Sequence, residues 1–444
     1  MPQYVAWTRL GIAVVMLWAA GCGGGSSRDA ASSDPSGTSS AARSGEKILR
    51  IPMAVDGPKS LDPVRGSTVY ENRCASQVLE TLLQYKYLKR PFELEPLLLE
   101  EMPTVSDDGL TFTFRLKKGV RFHDDPCFPE GKGREVVASD VVYSWKRIAD
   151  DSQGSKVTWI FEDTIAGFNE YREVQNAADS FDYEAELKGL KILGDHEFQV
   201  TLEKPSSRFL WTLAMFQTAV VPKEAVDQYG SRFGLHPVGT GPFTLAESDW
   251  RHGQSITFRK NPNYHECVYP DEHMPEDVAE GLVEAAGKKL PFVDAIEITF
   301  EPKSEPMWLN FKNGRYDFTT VPAENLEEAF NRRTKKVRRE MTDEGIRGYP
   351  IELLDFIFKG FNMEDPVVGG YSEKNKKLRQ ALCLAMDWDA TNEAFYNGIC
   401  AIYDGPIPPG MAGHPENGQA EVSYRGQDIE RAKQLLAEAG YPDG

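Results

Sequence analysis

The pattern of apolar and polar positions predicts a strand, and then a helix, in the first third of the chain. Residues 111–116 alternate, with Phe112 and Phe114 on one face, and this period of two is typical of a half-buried strand. A helix is predicted to begin after Ser139, which can act as its N-cap. The apolar stripe of this helix consists of Val141, Trp145 and Ile148.

A second strand and helix are predicted near residue 300. Residues 296–300 alternate between apolar and polar side chains, and Pro302 ends the strand because proline cannot donate a ladder hydrogen bond. The next helix is predicted to begin at Ser304, which can cap it, and to end at Gly314. Since strands and helices alternate on both sides of Pro302, the pattern indicates an α/β protein.

Length and charge narrow the class of protein. The 444 residues are 41% hydrophobic, and the formal net charge is -18 at pH 7. A chain of this length is too long to fold around one compact core, so two or more lobes are expected. The acidic balance argues against nucleic acid and anionic membrane surfaces as partners. The basic run at residues 332–339 is therefore interpreted as a solvated face rather than a binding patch.

The first residues indicate export. Arg9 precedes an apolar run over residues 10–20, which is too short to span a bilayer and has the length of a signal-peptide core. The run ends in Ala19-Ala20-Gly21-Cys22, which is typical of a lipoprotein signal, and an ordinary secretory signal is the alternative. Residues 1–21 are thus predicted to be a signal peptide. Residues 22–47 are mostly poor in apolar side chains, which predicts a flexible tether.

Cysteine usage leaves the disulfide pairing open. Beyond Cys22 the chain contains Cys74, Cys127, Cys267, Cys383 and Cys400. Export would let a disulfide persist, but an odd number means that at least one thiol stays free or pairs between chains. Cys383 shares an apolar helix face with Leu378 and Leu382, so a buried thiol is predicted there.

Short motifs follow one another along most of the chain. The most informative is Val238-Gly239-Thr240-Gly241-Pro242-Phe243, where two glycines and a proline steer the backbone sharply into the strand that begins at Phe243. A short strand later comes Arg259-Lys260-Asn261-Pro262-Asn263-Tyr264. Further motifs are Ser60-Leu61-Asp62-Pro63, Val78-Leu79-Glu80-Thr81-Leu82, residues 106–116, residues 138–144, Leu378-Arg379-Gln380-Ala381-Leu382 and residues 432–442.

This ordered set, from about residue 48 onward, resembles the family of extracellular solute-binding proteins that holds the dipeptide, oligopeptide and nickel receptors of ABC importers. The resemblance implies the two-lobed periplasmic-binding-protein type II fold, with an extra subdomain inserted in the first lobe. It implies solute binding in the cleft between the lobes. No cofactor and no metal site is predicted. The implied division is residues 48–90 and 196–300 for the first lobe, 91–195 for the inserted subdomain and 301–444 for the second lobe.

The resemblance also bears on the two ends of the chain. At the N-terminus it implies cleavage before Cys22 and a diacylglycerol anchor on its sulfur. At the C-terminus a helix capped by Asp428 stops at Gly440, and Pro442-Asp443-Gly444 is a turn. Family members continue with a strand and the rest of the second lobe. That part includes an acidic residue that binds the peptide α-amino group in oligopeptide receptors. We therefore expect a truncated second lobe, from which the ligand class cannot be carried over.

Catalytic and metal-binding interpretations are weak. The sequence has no His-Glu-x-x-His motif and no cysteine pair at zinc spacing. His265, Glu266, Cys267 and His273 could ligate a metal, but a surface loop is the favoured interpretation. Asp107-Asp108 precedes a glycine turn, so local hydrogen bonding is favoured over paired catalytic carboxylates. No catalytic residue is predicted.

Ligand contacts are predicted by position in the resemblance. A loop after Pro63 and a strand around residues 356–360 resemble segments that meet the ligand in the family, and an aromatic wall is predicted just beyond Phe243. For the aromatic residues, core packing is the competing interpretation. The predicted ligand-binding residues are Thr68, Tyr70, Asn72, Trp250, Phe361 and Asn362. The predicted interlobe hinge consists of Gly239, Gly241 and Pro242.

Together these features predict an exported, lipid-anchored receptor of the cell envelope. It would bind a peptide-like or other small solute and deliver it to ABC permease and ATPase subunits, with no nucleic acid as partner. A non-transporting envelope sensor or adaptor is the alternative, and a hydrolase on the same scaffold is a third hypothesis.

Overall fold

The computed structural model describes residues 45–331, 334, 336–349, 357–409, 411, 413–414 and 423–443. The predicted signal peptide, Cys22 and nearly all of the predicted tether lie outside these residues. Within the described part, one compact unit extends to Thr319 and a second begins at Thr320. Each unit is described by itself below.

The first unit contains a sheet whose strands come from distant parts of the sequence. These strands are β1 (Ile48–Met53), β8 (Phe243–Thr244), β9 (Trp250–Arg251), β10 (Ser255–Lys260) and β11 (Ala295–Phe300). The order is β1-β11-β10-β8, and β9 also pairs with β10. β1 runs parallel to β11, with Ile48 opposite Ala295, whereas the other pairs are antiparallel. The strand predicted at residues 296–300 is confirmed.

A second sheet and a short hairpin complete the strands of this unit. The sheet has the order β4-β5-β7-β6, made of β4 (Thr104–Val105), β5 (Thr111–Arg115), β6 (Leu190–Gly194) and β7 (Glu197–Thr201). The hairpin pairs β2 (Leu83–Tyr85) with β3 (Leu94–Pro96). The strand predicted around Phe112 and Phe114 is confirmed, and both rings are buried.

Strand pairing crosses the predicted boundaries of the inserted subdomain. Residues 91–195 were the predicted insert, but β7 pairs with β5 and β6, so residues 197–201 belong to the same sheet. Likewise β3 pairs with β2 across the predicted boundary at residue 90. Strand pairing over long sequence separations cannot be read from local periodicity, and the division into a first lobe and an inserted subdomain stays a prediction.

All but one of the α-helices described in the first unit contain buried residues, the exception being the helix Pro275–Ala279. They are α1 (Val69–Ala75), α2 (Ala138–Ala149), α3 (Phe168–Ala177), α4 (Phe209–Thr212), α5 (Lys223–Tyr229), α6 (Pro275–Ala279) and α7 (Ser304–Lys312). The predicted cap at Ser139 is wrong, because α2 already begins at Ala138. Asp140 accepts a hydrogen bond from the Val137 backbone N–H at 2.9 Å instead. Trp145, Phe114, Phe198 and Phe258 are among the fully buried rings of the continuous core.

The segment just after the predicted boundary at residue 301 lies in the first compact unit. The segment after β11 remains tied to β1, because the backbone N–H of Asp317 donates to the Arg50 carbonyl at 2.8 Å. In return, the Arg50 backbone N–H donates to Asp317 Oδ2 at 2.7 Å. Helix α7, which buries Met307 and Trp308, therefore belongs to the first unit.

The described part of the second unit is helical. Its helices are α8 (Leu326–Ala329), α9 (Arg339–Asp343), α10 (Glu373–Ala385), α11 (Trp388–Tyr396) and α12 (Ile429–Glu438). Asp428 caps α12, accepting from the Arg431 backbone N–H at 2.9 Å, and Gly440 has φ +87°, as predicted for the last helix. Among the helices described in either unit, none is both long and apolar enough to cross a membrane.

The cysteines of the described residues are all free thiols. Cys383 is half-buried rather than buried, so the predicted buried thiol is only partly correct. Cys74 is the buried one, and burial raises the pKa of its thiol to about 12.

Candidate functional site: the Gly-Thr-Gly-Pro loop and its buried carboxylate

The Gly-Thr-Gly-Pro loop is bonded on two sides to neighbouring segments of the first unit. The Gly241 backbone N–H donates to the Val78 carbonyl at 2.9 Å, and the Phe243 N–H donates to the Gln77 carbonyl at 3.0 Å. On the other side, the His123 N–H donates to the Gly239 carbonyl at 2.8 Å. The loop therefore joins the segment after α1 to the segment after β5.

Both glycines are required by close backbone approach rather than by unusual torsion angles. A Cβ on Gly239 would lie 2.2 Å from the Val78 carbonyl oxygen, and one on Gly241 would lie 2.7 Å from the Gln77 carbonyl oxygen. Neither glycine has a φ in the left-handed region. Any side chain at these positions would force the two backbone segments apart.

A buried carboxylate, Glu80, accepts hydrogen bonds from three side chains in two distant segments. It accepts from Thr240 Oγ1, from the Tyr264 hydroxyl and from His265 Nε2, each at 2.8 Å. The Glu80 side chain is 4% exposed and that of His265 8%. Because an unpaired carboxylate is costly in such a place, these donors stabilise the charge and fix the loop to residues 264–265.

A carbonyl of the same loop has two side-chain donors. Gly241 O accepts from Asn261 Nδ2 at 3.0 Å and contacts His123 Nε2 at 3.0 Å. The latter bond requires the proton to be on His123 Nε2. Burial lowers the pKa of His123, which is 4% exposed, although the Gly241 carbonyl and nearby acidic groups oppose that shift.

Acidification is expected to destabilise the protein partly through His123. Because its pKa is lowered in the folded state, the stability that it contributes is present above the ordinary histidine pKa of about 6.5 and is lost as the pH falls through the folded value. The His123→Gln variant should therefore lose less stability than the wild type between pH 7.5 and pH 5.5 (roughly one unit on either side of that pKa). Urea unfolding of both proteins at the two pH values measures this, and parallel losses would contradict it.

The chemistry of this cluster suits structural support more than catalysis. Burial and the neighbouring Glu80 raise the pKa of Tyr264 well above its ordinary value, and burial likewise raises the pKa of the Cys267 thiol. Raised values disfavour the phenolate and the thiolate, which are the nucleophilic forms. Among the described residues, no group of three His, Cys, Asp or Glu side chains could hold a metal ion.

The structure changes the interpretation of His265. The sequence favoured a surface loop for residues 265–273, but the His265 side chain is buried and paired with Glu80. His273 is on the exposed side, where its Nδ1 contacts the Asp271 carbonyl oxygen at 2.7 Å. The two histidines therefore have unrelated environments.

Three predicted ligand contacts lie at the start of a helix and not in a loop. Thr68 is the N-cap of α1, and its Oγ1 accepts from the Glu71 backbone N–H at 3.2 Å. Tyr70 is 36% exposed, whereas Asn72 is buried and its Oδ1 has no hydrogen-bond partner among the described residues. The capping box of Thr68 and Glu71 explains the helix start, and ligand contact by these three residues stays a prediction.

Trp250 is a core residue of the first unit. It is 6% exposed, pairs with Ile256 across β9 and β10, and packs in the main hydrophobic core. The His252 ring stacks on it at a centroid distance of 4.7 Å. This placement supports the competing interpretation of core packing, and its role as a cleft wall stays a prediction.

The strand predicted before Phe361 and Asn362 is not formed in the described residues. Residues 357–362 have no regular secondary structure, and Phe358 is 73% exposed. Residue 356 lies outside the described residues. An apolar run of this length is ambiguous from periodicity alone, and contact of Phe361 and Asn362 with solute stays a prediction.

The predicted hinge residues lie within one compact unit. Gly239, Gly241 and Pro242 all precede the boundary at Thr319, and their hydrogen bonds go to other residues of that unit. A hinge role for these three residues stays a prediction.

Sequence reasoning missed Glu80, His123 and Tyr264 as a connected group. A signal was present, because Glu80 is the one charged residue in the run Val78-Leu79-Glu80-Thr81-Leu82-Leu83. A lone carboxylate in an apolar run indicates a buried, hydrogen-bonded group. Its partners could not be identified, since Tyr264 is far away in sequence.

Comparison with known proteins supports one family. A family model described as "Bacterial extracellular solute-binding proteins, family 5 Middle" matches residues 93–444. Heme-binding protein A of Haemophilus influenzae is 27% identical over 378 residues, covering 84% of this chain and 58% of that protein. The dipeptide-binding protein of Escherichia coli is 26% identical over 351 residues, covering 78% of this chain and 55% of that protein.

Solved structures show the same fold. The ABC transporter-associated periplasmic binding protein DppA from Helicobacter pylori, in complex with the peptide STSA, matches with a TM-score of 0.60 and 22% identity. The match covers 90% of this chain and 67% of that one. The predicted fold class, α/β of the type II periplasmic-binding-protein kind, is confirmed. The chain spans little more than half the length of the curated relatives described above.

Proposed function

Because the chain belongs to the family 5 bacterial extracellular solute-binding proteins, we propose that it is the substrate-binding component of an ABC importer. In this proposal it captures a peptide-like solute between its two lobes and delivers it to the permease and ATPase subunits. The observation that carries the proposal is the family match over residues 93–444. It is supported by the Escherichia coli relative that is named for dipeptide binding.

A binding role also agrees with the chemistry of the buried cluster. Its phenol and thiol have raised pKa values, and its polar atoms are mostly engaged in hydrogen bonds between segments. Affinity for an extended solute would come from backbone hydrogen bonds and adaptable side-chain pockets rather than from covalent chemistry.

The solute can be identified directly. We expect native mass spectrometry of protein purified from its own cells to show a bound peptide, and calorimetric titration with that synthetic peptide to give saturable binding. Hemin is the comparison ligand, because one relative is a heme-binding protein. Saturable binding of hemin with no binding of any peptide would contradict the peptide proposal. Cleavage of the bound peptide with turnover would indicate a hydrolase.

Import can be separated from sensing. Deleting the gene should reduce uptake of the identified solute, if the protein feeds a permease. Undiminished uptake alongside tight binding would favour the non-transporting sensor or adaptor.

We further propose that the protein is exported and held at the membrane by a lipid on Cys22. The Cys22→Ser variant is expected to leave the membrane fraction, because one modified cysteine would carry the whole anchor. Cell fractionation in high salt measures this, with Cys400→Ser as the matched control that should stay membrane-bound. Retention of Cys22→Ser in membranes would contradict the lipid anchor.

A further inference from the structure

The connection between β10 and β11 is much longer than its geometry requires. The two strands are antiparallel neighbours, with Arg259 opposite Ala295, and hairpin loops usually need only about two to five residues. Here residues 261–294 make the connection. Long loops of this kind are usually functional or separately mobile.

Most of this connection closes on itself. We refer to residues 267–290 as the strap. The Leu290 backbone N–H donates to the Cys267 carbonyl, the Tyr269 N–H to the Lys288 carbonyl and the Gly287 N–H to the Tyr269 carbonyl, each at 2.9 Å. These bonds lie within the strap, so they can persist when the strap moves as a unit.

The base of the connection is firmly held. Asn261, Tyr264 and His265 precede the strap and bond to Gly241 O and Glu80 in the buried cluster described above. Opening these contacts would leave buried polar groups unpaired, which is costly. The base is therefore expected to stay in place.

The strap itself rests on a small apolar contact that is separate from the main core. Its Tyr269 and Ala285 pack with Leu88 of the β2–β3 hairpin, and these three are the buried members of the cluster. The Tyr87 ring meets the Tyr269 ring edge-on, at a centroid distance of 5.6 Å. A cluster of this size provides far less stability than the continuous core beneath β10 and β11.

A further attachment of the strap to the hairpin is electrostatic and exposed to solvent. Glu272 of the strap lies 2.8 Å from Lys86 Nζ and 2.6 Å from Lys89 Nζ, both on the β2–β3 hairpin. The side chains are 43% exposed for Glu272 and 28% for each lysine. Ion pairs with this exposure are weak individually and are screened by salt.

We propose that the strap opens as a unit on its buried base, in a salt-dependent manner, while the β10–β11 sheet stays intact. In this proposal the ion pairs of Glu272 hold the strap closed. Opening uncovers the apolar side chains of Tyr87 and Leu88 on the hairpin. The proposal follows from the difference between a buried base and a salt-screened attachment through Glu272 on one continuous connection. It does not depend on the identity of the solute.

Hydrogen exchange of the full chain tests this. Because the strap's internal bonds can survive opening, the probes are the hairpin peptide over residues 86–93, which opening uncovers, and a strap peptide whose amides take no part in those bonds. Replacing Glu272 with Gln should speed exchange in these two peptides about two- to fivefold at low salt, as expected for loss of weak ion pairs. Peptides of β10 and β11 should not change. In the wild type, raising salt from about 0.05 M to 1 M should have a similar effect, because the Debye length falls to about 3 Å.

The matched control is Glu93→Gln. Glu93 pairs with the same lysines, at 3.0 Å from Lys86 and 3.8 Å from Lys89, but it belongs to the hairpin itself. This variant should leave strap exchange unchanged or slower, because both lysines remain available to Glu272. The proposal is overturned if Glu272→Gln has no local effect, if Glu93→Gln accelerates the strap equally, or if β10 and β11 accelerate together with it.

Discussion

The Arg147→Met variant is expected to lose about 3–5 kcal/mol of unfolding free energy, because it leaves the Asp62 carboxylate buried without its main partner. Arg147 Nη2 donates to Asp62 Oδ2 at 2.8 Å, and Nη1 donates to Oδ1 at 3.2 Å. The two side chains are 1% and 3% exposed. This bidentate pair connects α2 to the Ser60-Leu61-Asp62-Pro63 motif.

The charge on Arg147 is maintained by its partner. Burial by itself would lower the pKa of Arg147, but the Asp62 carboxylate outweighs burial and the pKa lies above its ordinary value. Removal of the guanidinium thus exposes the full desolvation cost of the carboxylate, whereas removal of both charges does not. The double variant Asp62→Leu with Arg147→Met should therefore recover much of the loss.

Urea unfolding of the single and double variants measures these effects, with Arg172→Met as the control. Arg172 pairs with Asp151 and Glu162 at the surface, where its side chain is 34% exposed, so that change should cost no more than about 1 kcal/mol. An Arg147→Met variant as stable as the control would show that the buried pair is not required.

The Gly239→Ala variant is expected to lose about 3 kcal/mol, or more, of unfolding free energy through a backbone clash. The added Cβ would lie 2.2 Å from the Val78 carbonyl oxygen and 2.6 Å from Leu79 Cδ2. Relief of this clash requires the loop to move away from residues 78–80, which breaks the Gly241–Val78 backbone hydrogen bond and disturbs the Thr240–Glu80 contact. Solute affinity should fall together with stability.

Gly194→Ala is the matched control for this change. Gly194 does not have a positive φ, and a Cβ there meets no heavy atom within 4 Å, so its stability should change by no more than about 0.5 kcal/mol. Urea unfolding and calorimetric solute titration compare the two variants. The hinge prediction for Gly239, Gly241 and Pro242 gives a different result, in which stability is kept and affinity alone is lost. That outcome would contradict the close-packing explanation.

Sequence reasoning predicted well those elements whose formation depends on residues close together in the sequence. Alternation at residues 111–116 and 296–300 was sufficient to identify β5 and β11, because a strand with one buried face repeats every two residues. Asp428 and Gly440 marked the two ends of α12, since capping depends on side chains within a few residues. The family resemblance was also readable, because it rests on short motifs in a fixed order.

The partners of the strands and the environments of single residues could be identified only from the tertiary structure. The pairing of β7 with β5, and of β1 with β11, joins residues far apart in sequence and leaves no periodic signal. Thr68 was predicted in a loop from the family resemblance, whereas in the structure it is the N-cap of α1 and forms a capping box with Glu71. Trp250 could not be assigned from sequence, because an aromatic ring looks the same in a core and at a binding surface.

Sequence by itself determined the family and the α/β class, and it singled out Gly239 and Gly241 as residues that shape the backbone. The tertiary structure decided why those residues must be small. A Cβ at either position would lie within 2.7 Å of the Val78 or Gln77 carbonyl oxygen. Glu80 accepts hydrogen bonds from Thr240, Tyr264 and His265 around one buried charge. Local propensity acts over a few residues, whereas close approach and charge burial depend on segments that meet only when the chain is folded.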